Sequence, residues 1–176
     1  MEKEFDSHKE NETWSVVPHP GKGKNIINSK WIYSVKYGID GEEIAKARLV
    51  AVGYADSNNY TEESIYAPVC PIDIIRLIIL IAQEKNSPLI ALDMTTAYLY
   101  GSLEGNIEHE IYMRIPDGLN IGKSFVLKLL RSIYGLRIAS KCWYVTLRNS
   151  LQEIGYQAFK TERCLLETVM VQFRYW

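Results

Sequence analysis

One carboxylate stands where a sequence tends to place chemistry. Asp93 closes the short apolar run 89–92 and is followed by Met94, by small and hydroxyl residues, and then by Tyr98. A carboxylate delivered at the tip of a buried strand can ligate a metal ion, and the same residue type there also serves as a cap or turn residue. The second feature is charge zoning. Between Lys123 and Gln152 lie six basic residues, Lys123, Lys128, Arg131, Arg137, Lys141 and Arg148, and no acidic one, whereas residues 2–12 lean acidic. Such a stretch can line a phosphate-binding groove, or it can be a charged face that meets only water.

Other chemistries are excluded by spacing. Gly21-Lys22-Gly23-Lys24 lacks the spacing of a phosphate-binding loop and reads as a turn. No Gly-x-Ser-x-Gly or His-Glu-x-x-His pattern is present. Cys70, Cys142 and Cys164 are odd in number and widely spaced, which predicts buried free thiols in a reducing compartment instead of a zinc site or disulfide framework. His8, His19 and His109 are equally scattered. The net charge of −1 gives no bulk electrostatic argument for nucleic acid, and the apolar share of 47% suffices for a core. The polar, acidic start predicts no secretory leader. The most apolar run, 74–82, contains Arg76 and falls short of a membrane span, so a soluble, intracellular protein without membrane partner is expected.

Residues 14–17 suit a short strand, stopped by Pro18-His19-Pro20-Gly21. In 26–37, Trp31, Tyr33 and Val35 alternate as on a strand with one buried face, Gly38-Ile39-Asp40-Gly41 supplies turn chemistry, and 44–52 returns, so a β-hairpin is predicted. Residues 55–64 read as a polar loop. A helix is predicted over 71–83 with Asp73 able to cap it, then a buried strand over 89–92, and further strands over 111–115 and 125–130. Trp143, Leu147, Leu151 and Ile154 form a helical stripe, and Gly155 sits where a C-terminal cap belongs. Residues 169–176 read as a last strand. Mixed strands and helices without a regular βαβ repeat imply an α+β fold.

Five segments, in order, carry a family resemblance. Ser29-Lys30-Trp31-Ile32-Tyr33-Ser34-Val35-Lys36 resembles "SKWVFKVK", and Lys46-Ala47-Arg48-Leu49-Val50-Ala51-Val52-Gly53 resembles "KARLVARG". Leu92-Asp93-Met94-Thr95-Thr96-Ala97-Tyr98-Leu99-Tyr100-Gly101 is similar to a segment written D-V-K-T-A-F-L-x-G. Glu110-Ile111-Tyr112-Met113 through Gly118 resembles "EIYMxxPxG", and Ser132-Ile133-Tyr134-Gly135-Leu136-Arg137 through Tyr144 resembles "SLYGLKQAPRxWY". These are the segments of copia-type retrotransposon reverse transcriptases. Departures are Val52, Ile138 and Ser140 at the family's Arg, Gln and Pro, a short insertion between Leu103 and Glu110, and an end at Trp176 without a Tyr-x-Asp-Asp box.

The resemblance implies an RNA-directed DNA polymerase of a Pol polyprotein, with Mg²⁺ (or Mn²⁺) as cofactor and template-primer and deoxynucleoside triphosphates as partners. By resemblance, residues 14–176 are the fingers and part of the palm, truncated before the missing box, and 1–13 is an acidic flanking segment. Asp93 matches the first palm carboxylate, with the Met94 carbonyl sharing the metal. Lys36, Lys46 and Arg48 match the fingers residues that meet the triphosphate, although an exposed hairpin face would use the same residues. Tyr98 would sit beside the incoming sugar and exclude a ribose 2′-hydroxyl, or else be a core aromatic. Gly135 falls in the template-and-nucleotide segment, where a missing side chain allows close approach. Arg137 and Lys141 would follow the template backbone; alternatively, Trp143 and Tyr144 are core aromatics of the following helix. The alternative is a decayed, non-catalytic transposon relic with at most weak nucleic-acid binding.

Overall fold

A computed structural model describes residues 1–122 and 124–168, so Lys123 and the strand expected over 169–176 lie outside the described residues. The chain divides into two compact units: Met1–Tyr66 with Thr96–Trp143, and Ala67–Thr95 with the described part of Tyr144–Trp176.

The first unit opens with α1, Glu2–Glu10, in the segment to which the sequence assigned no element. Glu2 and Glu4 in its first turn and His8 and Lys9 in its last suit the helix dipole. Its inward face is partly polar. The Glu4 carboxylate accepts the Leu49 backbone N–H at 3.0 Å, and His8 Nδ1 lies 3.2 Å from the hydroxyl of fully buried Thr13. Burial pulls the His8 imidazole down to about 4, so it is neutral at pH 7. Phe5 meets Trp31 edge to face at 5.2 Å.

Strand β1, Trp14–Pro18, pairs antiparallel with a strand at Phe125–Leu129. Between them in sequence come β2, Ile26–Ile27, and a hairpin of β3, Ser29–Tyr37, and β4, Glu43–Ala51. The hairpin is the predicted one. All nine residues of β3 pair with β4, from Ser29 opposite Ala51 to Tyr37 opposite Glu43, and Gly41 takes φ +78° in the turn. Its alternation does not bury a whole face, however. Trp31 is half-buried, but Tyr33, Val35 and Tyr37 are exposed, because no described third strand covers this two-stranded ribbon. The expected loop 55–64 ends in a single helical turn, α2, Glu62–Ile65, where the Thr61 hydroxyl accepts the Ser64 N–H. Later come β5, Tyr112–Met113, and β6, the Phe125–Leu129 strand. The four-stranded sheet has the order β1-β6-β5-β2. Ile27, Leu49, Leu99, Met113, Leu127, Ile133 and Cys142 are fully buried in this unit's core.

The second unit holds α3, Ile72–Glu84, close to the predicted bounds. Pro71, not Asp73, occupies its N-cap position; Asp73 lies inside the first turn and pairs with Arg76 at 3.2 Å. The strand expected over 89–92 is absent. Leu89, Ile90 and Leu92 are exposed in irregular backbone. A strand requires a ladder partner for its N–H and C=O groups, and no described strand runs beside this segment. Helix α4, Ala139–Glu153, begins in the first unit and ends in the second, and Gly155 follows it at φ +93°. A short hairpin, β7 at Tyr156–Ala158 with β8 at Leu166–Thr168, was not foreseen. All three cysteines are free, but only Cys142 is buried; Cys70 and Cys164 are half-exposed. No described helix is long and apolar enough to cross a membrane.

Candidate functional site

The β3/β4 register decides which residues of the hairpin can act together. Directly opposed residues share a face and successive residues alternate between faces. Lys36 opposes Ile44, Ser34 opposes Lys46, Ile32 opposes Arg48, and Lys30 opposes Val50. Lys30, Lys36, Lys46 and Arg48 therefore share one face, which has no carboxylate in either strand. Trp31, Tyr33 and Val35 take the other face with Leu49, Ala47 and Ala45. None of the four cations belongs to an ion pair among the described residues. Lys30 was overlooked in the sequence, although its even spacing from Lys36 carried the signal.

The root of this face rests on the 133–137 segment. The Ala51 N–H donates to the Tyr134 carbonyl at 2.7 Å, and the Arg48 guanidinium lies 5.4 Å from the centre of the Tyr134 ring. Arg48 Nε is buried and has no hydrogen-bond partner. Gly135 has φ +87°, and a Cβ there would stand 2.2 Å from the Ala51 carbonyl oxygen. Gly53 also meets this segment, and a Cβ there would be 2.2 Å from the Gly135 carbonyl oxygen. Two backbones can run this close only without side chains.

Tyr98 belongs to the 3₁₀ turn Ala97–Tyr100, pinned by fully buried Leu99. Its ring meets Tyr134 edge to face at 5.2 Å, its hydroxyl lies 3.4 Å from Ser140 Oγ, and its carbonyl accepts from the Ser132 hydroxyl. Arg48, Tyr98 and Gly135 thus converge on Tyr134, a residue the sequence reading did not single out.

Arg137 has its own support. Its guanidinium lies 5.1 Å from the centre of the Tyr60 ring. The Tyr60 hydroxyl donates to buried Asp56 at 2.6 Å, and Asp56 also accepts from the Asn25 side chain at 2.6 Å and the Asn58 N–H at 2.9 Å. Because the Tyr60 hydroxyl donates its hydrogen bond to Asp56, its oxygen is left to accept from His109 Nε2 at 3.1 Å. Burial first, and then the bond to Asp56, push the Tyr60 phenol well above its ordinary value, so it remains a neutral donor. Asp56, Tyr60 and His109 are 53 residues apart at the extremes, and no pattern in the sequence links them. Lys30, Arg137, Gly135 and the 50–54 segment line a cleft of about 510 Å³.

The remaining expected residues are placed separately. Lys36 and Lys46 lie farther toward the hairpin turn, and Lys141 lies in the first turn of α4. Asp93 and Met94 are exposed in irregular backbone of the second unit. A bound Mg²⁺ draws on several oxygen ligands. Among the described residues no group of three His, Cys, Asp or Glu side chains could hold a metal ion, so Asp93 does not by itself make a complete site.

A comparison with known proteins gives the class. The chain belongs to the reverse transcriptase (RNA-dependent DNA polymerase) family, whose model matches residues 11–170. Within that family its likeness is to copia-type Pol polyproteins. It is 36% identical over 160 residues to the retrovirus-related Pol polyprotein from transposon RE1 of Arabidopsis thaliana, covering 89% of this chain and 11% of that protein. The RE2 polyprotein of the same plant is 34% identical over 160 residues, with the same coverage. The polyprotein from transposon TNT 1-94 of Nicotiana tabacum is 32% identical over 168 residues, covering 94% of this chain and 12% of that protein. The chain therefore spans about a tenth of the length of these relatives. No solved structure matches it. These likenesses support the polymerase family and do not favour the alternative of a non-catalytic relic.

Proposed function

We propose that the first unit forms the nucleotide-gripping part of an RNA-directed DNA polymerase, with the β3–β4 hairpin as its fingers. The observation that carries this reading is the hairpin face on which Lys30, Lys36, Lys46 and Arg48 stand without a carboxylate or an ion-pair partner. Arg48 adds an unpartnered Nε held against Tyr134. Lysines offer mobile point charges and arginine a planar fork, a combination suited to the triphosphate of an incoming deoxynucleotide. Tyr98 then stands as the wall that a ribose 2′-hydroxyl would strike, and Gly135 admits the nucleotide to the backbone. Arg137 and Lys141 contact the template strand.

Asp93, with the Met94 carbonyl, is the proposed palm contribution to metal binding, and residues 14–176 are proposed as fingers and partial palm, preceded by the flanking segment 1–13. Asp93 and the Met94 carbonyl would hold Mg²⁺ only together with further oxygen ligands, and the ion, when bound, would supply activation of the primer hydroxyl and neutralisation of the phosphates. Because the described residues do not complete a metal site, the reading rests on the cationic face and not on Asp93.

The test is titration of the chain with a fluorescent deoxynucleoside triphosphate. Arg48→Ala should weaken binding about tenfold, roughly 1.4 kcal/mol, and Arg48→Lys should recover only part of it. Unchanged affinity in Arg48→Ala would overturn the proposal.

A further inference from the structure

Helix α1 lies ahead of residues 11–170, the part of the chain that the reverse transcriptase family model matches. It nevertheless meets the hairpin at the residue next to Arg48. The Leu49 N–H donates to the Glu4 carboxylate at 3.0 Å, and both residues are buried. Leu49 and Ala51 are two apart on β4, so their N–H groups point to the same edge of the strand. The Ala51 N–H donates to the Tyr134 carbonyl at 2.7 Å. The edge of β4 that β3 does not pair is therefore filled at its root by one side-chain oxygen and one backbone oxygen, where a third strand would otherwise supply acceptors.

Glu4 is itself fixed from both ends of its helix. Toward the start of α1, Phe5 meets Trp31 edge to face at 5.2 Å, and Met1 Sδ accepts the Tyr33 hydroxyl at 3.3 Å. Both rings stand on the face of β3 opposite the cations. Toward its end, His8 Nδ1 lies 3.2 Å from the Thr13 hydroxyl, and the Thr13 carbonyl accepts the Leu130 and Arg131 N–H groups at 2.8 and 3.1 Å. The helix thus straps the hairpin to the end of β6. Apolar contacts such as Phe5 with Trp31 suffice to dock a helix. A buried carboxylate costs desolvation and is stabilised by the hydrogen bond it accepts, so its place at Leu49 marks where the hairpin is held.

Arg48 is the cation this geometry holds. Its backbone adjoins the Glu4–Leu49 bond, while its guanidinium lies 5.4 Å from the centre of the Tyr134 ring. A planar guanidinium fork recognises an anion by direction, so it loses affinity when the strand beneath it shifts. We infer that Glu4 is a positioning residue of the nucleotide grip, holding β4 so that Arg48 faces the triphosphate, and that α1 is a working part of the fingers. This rests on the grip proposed above.

The experiment titrates the full chain with a fluorescent deoxynucleoside triphosphate and follows hydrogen exchange at the Leu49 amide by NMR. Glu4→Leu keeps the bulk and removes the acceptor. It should speed exchange at Leu49 about tenfold or more and weaken nucleotide binding about fivefold. Glu4→Gln, whose amide oxygen can still accept, should restore affinity to within about twofold of the parent. Glu4→Asp is one methylene shorter and keeps the charge; its affinity should fall between the two, and it serves as the test should the leucine variant fail to fold. In an Arg48→Ala background Glu4→Leu should cause no further loss, since a residue that acts through Arg48 then has nothing to position. Parental affinity in Glu4→Leu, or in Glu4→Asp where it stands in, would overturn the inference. An undiminished loss in the Arg48→Ala background would do the same, because it marks general destabilisation. If Arg48→Ala itself leaves affinity unchanged, the grip fails and this inference with it. If Arg48→Ala weakens binding and the Glu4 variants do not, only the inference fails.

Discussion

The two units of this chain show what an apolar sequence becomes with and without packing partners. Every buried residue among those described lies in the first unit. There, Leu99 and Leu127 have no exposed surface. In the second unit, α3 is apolar on most of its circumference, the pattern of a helix covered on all sides, yet none of its residues is buried. Leu92, the residue before Asp93, is 90% exposed, although Leu99, seven residues later in the same motif, is wholly buried. The lesson is that hydrophobicity states a demand for burial, while the surrounding elements decide whether it is met. The cationic face of the hairpin gains its fixed geometry from the well-packed unit.

The contrast breaks most visibly at the closest backbone contact. Gly135→Ala should destabilise the first unit by about 3 kcal/mol or more, through a positive φ and a clash with a backbone oxygen. Urea denaturation followed by tryptophan fluorescence measures this. A loss below half that size would show that the hairpin root can shift away from the 133–137 segment.

Leu92 and Leu99 belong to one motif and differ only in what covers them. Leu99→Ala should cost about 2 to 5 kcal/mol by leaving a cavity, whereas Leu92→Ala should stay within about 0.5 kcal/mol. Equal losses in the same denaturation assay would contradict the difference in burial.

A smaller effect separates the units by pH. His8 is held neutral by burial, its folded value about 4 against an ordinary 6.5. The unfolded chain therefore binds the proton more readily. The His8 contribution is complete above pH 6.5 and is lost as pH falls toward 4. Between pH 7 and pH 5 the loss should be about 2 kcal/mol. His8→Asn should flatten this part of the stability curve, and an unchanged slope would place the titration elsewhere.

Much of this was legible in residue order. Alternation and the Gly38–Gly41 turn gave the hairpin, and the stripe ending at Gly155 gave α4, because both depend on neighbours close in sequence. Lys36, Lys46 and Arg48 could be assigned to a hairpin, but only the register of β3 against β4 puts them on a common face. Helix α1 was missed because its apolar content is low and it buries Glu4 and His8, whose partners Leu49 and Thr13 come from elsewhere in the fold. The expected palm strand at 89–92 failed for the opposite reason. Its composition suits a strand, but composition supplies no partner for the backbone.

The family, the α+β character and the cations of the hairpin can be read from residue order, since these rest on motif order and short-range periodicity. Folding brings Arg48, Tyr98 and Gly135 together at Tyr134, braces the ring under Arg137 with Asp56 and His109, and leaves Asp93 in exposed, irregular backbone. Contacts between residues far apart in the chain depend on which surfaces pack and which backbone groups find partners. Those are properties of the folded whole, and local sequence spacing does not encode them separately.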